Sequence, residues 1–529
     1  MDAKSLSKGS GAEFEGVGAG EEEEEEQQQR GNFADESRMT LWLALAMGST
    51  MGSFLFGYSL GFTSPALPAM EGTEIFFDTK CHGHSVRSTH ASLFVSALSI
   101  GGGCGALMSG KVSDTIGRTR NLLLSAISFS WGYTWLALVK HRDEAIICRF
   151  IIGLGAGSSS MVVPMYISEV SPSDIRGALC ALNQLTMTIG IVAVFAIGDL
   201  LPHESTTFNN CTTTSKTIGN HWRVLALVGA VVSGMMVFLT LFLPESPVFH
   251  NQQGKRELGI RAGKRFGWAS KQIYELTRAE EAGILEEPPS ASSPSPSRRA
   301  AEPASSFSVL FSKGNRSKLA VACGVMALQQ WCGVNAVNMY CAQIFRAAGF
   351  SDTDRAGVYA SVSQFAGVCA SIYLVERTGR RTLLIISEIA MLTTLVVLGL
   401  FFYLPSSDRE GWIALTSVMA FMFSFAIGIG PVVWIVINEM FPDDLRGSAG
   451  SISVLVNWVS AFLVTQFFLE MEVALNTFGV FWFYGVVLIA GLAFTLLAVP
   501  ETMPSLSSQD ATNTEAEYKH KGEYQRVLS

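Results

Sequence analysis

Carboxamide side chains cluster in one apolar stretch of the sequence. Gln329, Gln330, Asn335 and Asn338 all fall within the segment QQWCGVNAVN. A carboxamide both donates and accepts hydrogen bonds, so such a group can bind a ligand covered with hydroxyls, while an aromatic side chain covers an apolar face. In an apolar span these side chains are costly unless they face a wet cavity or another helix. The cluster predicts a site for a polyhydroxylated ligand; hydrogen bonding between helices is the alternative.

The elements that must hold this cluster are membrane-spanning helices. Of the 529 residues, 49% are hydrophobic and only 16% are charged, which is too apolar for a soluble protein of this length. Apolar stretches long enough to cross roughly 30 Å of hydrocarbon recur along the chain. We predict an all-α membrane protein with twelve transmembrane helices, at about 41-62, 91-110, 121-139, 145-168, 178-201, 222-243, 318-341, 356-375, 382-404, 412-437, 448-469 and 478-499.

Polar segments divide the chain around these spans. The N-terminal region, with its run EEEEEEQQQR, is predicted to be a solvated tail, and it supplies much of the net charge of −8. Nothing in the composition suggests nucleic-acid binding. The predicted division is a disordered acidic tail (1-38), an N-terminal six-helix bundle (39-243), a cytosolic inter-bundle segment (244-317), a C-terminal six-helix bundle (318-500) and a cytosolic C-terminal tail (501-529).

Basic residues gather at alternate turns between the spans, for example Lys111 and Arg118 in the first half and Arg377 and Arg380 in the second. By the positive-inside tendency, these turns and both termini face the cytosol. The remaining turns then face outside or a lumen. One of them carries Asn210 in the triplet Asn-Cys-Thr, a candidate for N-glycosylation.

Cysteine usage does not indicate a disulfide scaffold, because most of the nine cysteines lie inside spans. Cys81 and Cys211 both lie in outward-facing turns of the first half. They are a candidate disulfide, with two free thiols as the alternative.

The two halves repeat each other. The turn GKVSDTIGRTR after the second span matches YLVERTGRRT after the eighth, ISEVSPSDIRG matches INEMFPDDLRG, and LPESP matches VPETMP. Such a repeat predicts two parallel bundles related by an axis along the membrane normal, with a binding site between them near the midplane.

Charged residues of these turns are predicted to form ion pairs that hold an inner gate shut. Glu169 and Glu439 can pair with Arg118 and Arg380 of their own half or reach across to the other. Such pairs are individually weak in water, at roughly 0 to 1 kcal/mol each, so only a network could bias the equilibrium. The alternative is that they only anchor helix ends. The whole predicted network is Arg118, Glu169, Arg176, Glu376, Arg380, Glu439 and Arg446.

Two glycine-rich runs, GGGCG at 101-105 and GLGAG at 153-157, resemble nucleotide-binding fingerprints but lack a flanking strand. Close packing between helices is the better account of both.

Taken together, the motifs resemble the sugar porter family of the major facilitator superfamily from about residue 40 to residue 505. The resemblance is carried by DTIGRTR, PMYISEVSPSDIRGAL, LPESP, QQWCGVNAVNMY, ERTGRRT, GPVVWIVINEMFP and VPET. It implies hexose contacts from several polar residues and a tryptophan that helps to close the site. Gln364 falls where animal hexose facilitators have an asparagine. The implied contacts are Gln184, Gln329, Gln330, Asn335, Gln364, Trp434 and Asn457.

One position bears on energy coupling. In proton-coupled sugar porters an aspartate follows the tyrosine of the first-span motif and an arginine of the fourth span is its partner. Here Ser59 takes the first place and Arg149 the second. A serine cannot load and release a proton at this position. The one other acid well inside a span, Glu388, is expected to meet Arg377 or Arg381.

The resemblance therefore implies facilitative uniport of a hexose, with glucose first and fructose next. A proton-coupled symporter and a non-transporting sugar sensor are the alternatives. The resemblance does not distinguish a hexose from a disaccharide or a polyol as the substrate. The reason is that the segment FGYSLGFTSPALP is more like intracellular hexose facilitators and insect trehalose facilitators than hexose facilitators of the red-cell type. No enzyme activity, metal or cofactor is expected.

The C-terminal tail contains YQRV, which has the form that endocytic sorting adaptors bind, with Tyr524 as its tyrosine. The partners predicted for the chain are thus a small sugar, the lipid bilayer and such an adaptor. The plasma membrane is favoured over an endomembrane as its location.

Overall fold

The structure, a computed structural model, describes residues 51–71, 89–172, 176–201, 221–266, 268, 311–350, 352–405, 410–441 and 443–502. These residues are helices joined by short connections. In the first half the helices are α1 (Met51–Gly61), α2 (Thr63–Glu71), α3 (Thr89–Ile116), α4 (Arg118–Leu138), α5 (Arg142–Val170), α6 (Arg176–Leu200) and α7 (His221–Thr240). Two short helices follow, α8 (Pro247–Gln252) and α9 (Arg256–Arg265).

The second half has the same order of long helices. They are α10 (Lys313–Trp331), α11 (Val334–Ala347), α12 (Thr353–Thr378), α13 (Arg380–Tyr403), α14 (Gly411–Ile427), α15 (Ile429–Met440) and α16 (Asp443–Ala498). Helix α16 bends at Asn476, whose φ is 59°. Its 56 residues would reach about 84 Å if straight, so α16 supplies two spans.

Nine helical stretches of the described residues are long and apolar enough to cross a membrane. One of them, Ala449–Ala498, covers the two spans of α16, and two others combine α10 with α11 and α14 with α15. The predicted all-α membrane fold is confirmed. The count of twelve stays a prediction, because the first span is described only from Met51 and α4 is not one of the nine.

Two contacts join the halves along their length, α3 with α16 and α6 with α12. These helices are the second and eleventh, and the fifth and eighth, of the predicted spans. The sequence repeat places the second span on the eighth and the fifth on the eleventh, so the two contacts are equivalent. This arrangement is the one expected for two parallel bundles around an axis along the membrane normal.

Glycines bring α3 and α5 together. A Cβ added at Gly157 would lie 1.8 Å from the Gly102 carbonyl oxygen, and one at Gly101 would lie 2.1 Å from that of Phe150. No side chain fits at such a separation, so the backbones touch directly. The interpretation of the two glycine-rich runs as helix-packing sequences is confirmed.

The ends of the spans define two faces of the molecule. We call the face with Arg118, Glu169, Arg380 and Glu439 the turn face and the opposite one the far face. Polar contacts that join the two bundles lie toward the far face. They are Asp199 with Arg355 at 3.7 Å, Ser96 with Gln466 at 2.6 Å, and the Ala342 N–H with the Ser64 hydroxyl at 2.9 Å.

Toward the turn face the described contacts between the bundles are those of α3 with α16 and of α6 with α12. Helices α5 and α15, which end there, make no contact comparable to that of α2 with α11 among the described residues. The described polar contacts between the bundles therefore close the molecule at the far face.

Candidate functional site

A break in the seventh span separates the carboxamides into two groups. Helix α10 ends at Trp331 and α11 begins at Val334, with Gly333 between them at a φ of +90°. That conformation suits glycine, and a Cβ there would also lie 2.8 Å from the Tyr484 ring. The break leaves Gln329 and Gln330 on one helix and Asn335 on the next.

Four of the predicted carboxamides, which lie on α10, α11 and α16, form one hydrogen-bonded set. The set also contacts the start of α15. Asn457 of α16 accepts from Gln330 Nε2 at 3.0 Å and donates to Gln329 Oε1 at 2.8 Å, and Asn335 donates to Gln330. Gln329 Nε2 donates to the carbonyls of Ile429 and Gly430, at 3.1 and 2.8 Å, where α15 begins. We call Gln329, Gln330, Asn335 and Asn457 the amide cluster.

The amide cluster makes the hydrogen bonds between helices that the alternative interpretation predicts, and its use as a ligand site stays a prediction. Its members bond one another and so tie α10, α11, α15 and α16 together, as hydrogen bonding between helices requires. The half-buried Asn335 side chain is the most open of the four. Because carboxamide groups can exchange partners, a ligand could replace bonds that the cluster makes to itself.

The other predicted contact residues lie on separate helices and outside this hydrogen-bonded set. Gln364 of α12 is buried, and its Oε1 has no hydrogen-bond partner among the described residues. Gln184 of α6 and Trp434 of α15 are half-buried. Gln184 is the member of the predicted set that the first bundle contributes.

The predicted coupling position, Ser59 with Arg149, is a buried hydrogen-bonded group. The Ser59 hydroxyl donates to the Leu55 carbonyl at 2.6 Å and lies 2.9 Å from the Tyr133 hydroxyl. Arg149 is fully buried and donates to the Ser59 carbonyl at 3.2 Å and to the Thr63 hydroxyl at 3.3 Å.

Aromatic rings complete the surroundings of Arg149. Its guanidinium carbon lies 5.6 Å from the centre of the Phe62 ring and 5.3 Å from that of Phe94. Among the described residues no carboxylate forms an ion pair with this arginine. The sequence identified Ser59 and Arg149 but not these rings or Tyr133, because nothing in the local pattern shows which aromatic residues converge.

Glu388 does not meet a basic residue, so that expectation is wrong. The side chain is buried, Oε1 accepts from Thr495 at 2.6 Å, and Oε2 has no partner among the described residues. Arg381 donates to the Leu496 carbonyl instead, and Arg377 lies over the Tyr373 ring. The reason is distance: seven residues along a helix correspond to about 10 Å, beyond direct contact between Glu388 and Arg381.

The charged turns pair within their own bundles. Arg118 donates to both oxygens of Glu169, and Arg380 donates to Glu439 at 3.1 Å. Glu376 is exposed in a cleft of about 430 Å³ between α6 and α12 and makes no ion pair with another described residue.

Two carboxylates of these turns were not singled out from the sequence. Glu245 accepts the backbone N–H of Arg118 at 3.0 Å, and Glu501 accepts those of Arg380 and Arg381 at 2.9 and 3.1 Å. Each carboxylate thus caps the first turn of a helix. The sequence does point to these two residues, because Glu245 and Glu501 are the acids of the matched motifs LPESP and VPETMP.

Several predicted features lie outside the described residues. They are Cys81, Cys211, Asn210 and Tyr524, together with the side chains of Arg176 and Arg446. The glycosylation, disulfide and sorting hypotheses therefore stay predictions.

Comparison with known proteins agrees with this geometry. The family model described as "Sugar (and other) transporter" matches residues 45–506. The facilitated trehalose transporter Tret1 of Polypedilum vanderplanki is 30% identical over 92% of this chain and 89% of its own length. The corresponding protein of Culex quinquefasciatus is 29% identical over 86% of this chain and 82% of its own.

Among solved structures, the xylose transporter XylE from E. coli, in a partially occluded inward-open conformation, aligns with a TM-score of 0.70. The alignment covers 88% of this chain and 99% of XylE at 22% identity, and it shows the shared fold. The family match covers both halves of the described chain, including the amide cluster. The chain belongs to the "Sugar (and other) transporter" family, and it is a transporter rather than an enzyme.

Proposed function

We propose that this protein is a facilitative uniporter of a neutral sugar. The observation that carries the proposal is the group around Arg149, where a serine, a threonine, a backbone carbonyl and two aromatic rings occupy the surroundings of the arginine. None of these groups is a carboxylate that could take up a proton on one side and release it on the other. Moving one proton through a membrane potential of 100 mV releases about 2.3 kcal/mol of free energy, which a symporter uses to concentrate its substrate. A uniporter has no such source of free energy, so it only equilibrates the substrate across the membrane.

The substrate proposed first is a hexose, with glucose ahead of fructose. The amide cluster and Gln364 offer donors and acceptors to a ring of hydroxyls, and the half-buried Trp434 offers an aromatic face. Alternating access around this site would move the sugar between the two faces.

Trehalose is the second candidate. The observation in its favour is that the relatives named above are facilitated trehalose transporters. Trehalose offers the same hydroxyl chemistry as glucose over about twice the length, so the amide cluster supports either sugar.

The remaining parts of the proposal concern orientation and location. The basic turns support a cytosolic turn face, with both termini in the cytosol and Asn210 on the far side. We propose the plasma membrane as the site of action, with Tyr524 available to a sorting adaptor.

The test is uptake of labelled glucose, fructose and trehalose into proteoliposomes that hold the purified protein, with and without an imposed proton gradient. We expect saturable entry that stops at equal concentrations and ignores the gradient. Accumulation driven by protons would contradict uniport and favour a symporter. Saturable sugar binding without entry would favour a sensor.

The amide cluster is tested in the same vesicles with Gln330→Ala. Loss of a buried hydrogen bond costs about 1 to 3 kcal/mol, so the half-saturation constant should rise at least fivefold. Gln252→Ala, an exposed glutamine on α8, is the matched control and should leave uptake unchanged. An unchanged constant in Gln330→Ala would remove the cluster from the sugar site.

A further inference from the structure

The first span is broken between α1 and α2, and this break contacts a kink inside α11 of the seventh span. Helix α1 ends at Gly61 and α2 starts at Thr63, while α11 is kinked at Tyr340, where φ is −112° and ψ is 17°. Two residues beyond that kink, the Ala342 N–H donates to the Ser64 hydroxyl of the other bundle at 2.9 Å. In a regular helix this N–H donates to the carbonyl four residues earlier, so the kink makes a backbone donor available to Ser64.

Arg149 supports the same break from the opposite side. The Ser59 carbonyl belongs to the last turn of α1, whose carbonyls lack partners within the helix. Arg149 of α5 donates to that carbonyl and to the Thr63 hydroxyl, one residue before Ser64. Pro65 follows and has no N–H with which to continue the helix. Arg149 thus contacts both the last turn of α1, at Ser59, and the first residue of α2, Thr63.

The contact is shielded from water. Ser59, Thr63, Ser64 and Arg149 are buried, as is α11 from Ala336 to Phe345. A hydrogen bond in such surroundings is strongly directional, and leaving its donor unmade is unfavourable. The far face cannot open without separating α2 from α11, which breaks this bond.

We propose that Arg149 is a positioning residue that sets the break between α1 and α2 so that the Ser64 hydroxyl receives the Ala342 N–H and holds the far face closed. Arg149, Ser64 and Ala342 form one connection from the interior of the first bundle to the kink of the second. This role gives the buried arginine a function without a carboxylate partner, and it depends neither on which sugar is carried nor on the absence of proton coupling.

The experiment is amide hydrogen exchange on the purified full-length protein, followed peptide by peptide with mass spectrometry. Ser64→Val and Ser64→Thr form a matched pair of equal shape, of which only Thr keeps a hydroxyl. We expect exchange in α2 and α11 to be about fivefold faster in Val than in Thr, since one net hydrogen bond is lost. Exchange in α13, away from the contact, should stay unchanged.

Arg149→Lys provides an independent test that keeps the charge. A lysine cannot reach the Ser59 carbonyl and the Thr63 hydroxyl with the fork of an arginine, so α2 and α11 should again exchange faster. Combined with Ser64→Val, it should add little, because both changes open the same connection.

Unchanged exchange in α2 and α11 of either variant would overturn the proposal, and so would an equal rise over all helices, which indicates general destabilisation. If Ser64→Val fails to fold, Ser64→Ala compared with Ser64→Thr measures the same bond with less volume. Proton-driven uptake in the vesicle assay would contradict uniport but would leave this exchange result as it stands.

Discussion

The charged turns of the two halves share one sequence pattern but differ in burial. In the first half, the Arg118 side chain is 3% exposed and makes three hydrogen bonds of 2.8 to 3.1 Å to Glu169, which is 13% exposed. In the second half, the Arg380 side chain is 14% exposed and makes one hydrogen bond of 3.1 Å to Glu439, which is 29% exposed. The same motif therefore gives a forked, buried ion pair in one bundle and a single, wetter contact in the other.

Neighbouring residues account for the difference. In the first half, the Ser246 hydroxyl also donates to Glu169, and the Phe249 ring lies 5.4 Å from the Arg118 guanidinium carbon. Both residues belong to the segment that begins α8. In the second half, Thr502 donates to Glu439, and the Arg380 Nε has no hydrogen-bond partner among the described residues. The motif specifies the partners, and the segment packed over the motif decides how much the pair contributes.

Arg118→Ala should have the largest effect. It leaves the largely buried Glu169 carboxylate without its cation, which costs about 3 kcal/mol of folding free energy. Thermal unfolding of the purified protein measures this loss, with Arg380→Ala as the matched variant. An equal loss in both variants would contradict the comparison.

Glycine replacements should act on both halves. Gly117 has a φ of +104° and Gly379 one of +84°, and an added Cβ would lie 2.3 Å from Glu245 Oε2 and 2.8 Å from Glu501 Oε2 respectively. Gly117→Ala and Gly379→Ala should each cost about 1 to 3 kcal/mol, because the conformation is strained for a residue with a Cβ. The shorter approach predicts the larger loss for Gly117→Ala in the same unfolding assay, and the reverse order would show that the distance from the added Cβ to the carboxylate does not set the ranking.

The two capping carboxylates should contribute similar amounts. Glu245 and Glu501 each accept two backbone N–H groups at the start of a helix. Glu245→Ala and Glu501→Ala should each cost about 1 kcal/mol. The first variant also loses a bond from the Thr119 hydroxyl, so Thr119→Val is the control that separates that bond from the cap. Melting temperatures of the three variants check the prediction, which fails if only one capping variant is destabilised.

Arg380→Ala should have the smallest effect, at most about 1 kcal/mol, and the effect should depend on salt. A partly exposed pair is screened, since the Debye length falls from about 10 Å at 0.1 M to 3 Å at 1 M. Unfolding at these two ionic strengths should show the loss in Arg380→Ala shrinking and that in Arg118→Ala persisting. A salt-independent loss at Arg380 would mean that its pair behaves as a buried one.

Elsewhere in the molecule, too, sequence motifs predict which residues can pair, whereas the packing of distant segments decides which contacts form. The repeat predicted that Glu169 and Glu439 could pair with Arg118 and Arg380 of their own half, and the structure joins them in this way. The roles of Glu245 and Glu501 were missed although their motifs were matched, because a cap depends on where a distant loop returns to a helix. Glu388 was misassigned because helical spacing gives the face of a residue but not the side chains that meet it.

By itself, the sequence determined the membrane class, the two-fold repeat, the family and the residue types at the proposed sugar and coupling positions. These follow from local quantities: apolar length, motif spacing, and the presence or absence of a titratable group at position 59. Only the tertiary structure decided which carboxamides bond one another, which rings surround Arg149 and which face is closed. Those outcomes depend on contacts between residues far apart in the chain, such as Ser64 with Ala342, and local patterns do not encode how two helices meet.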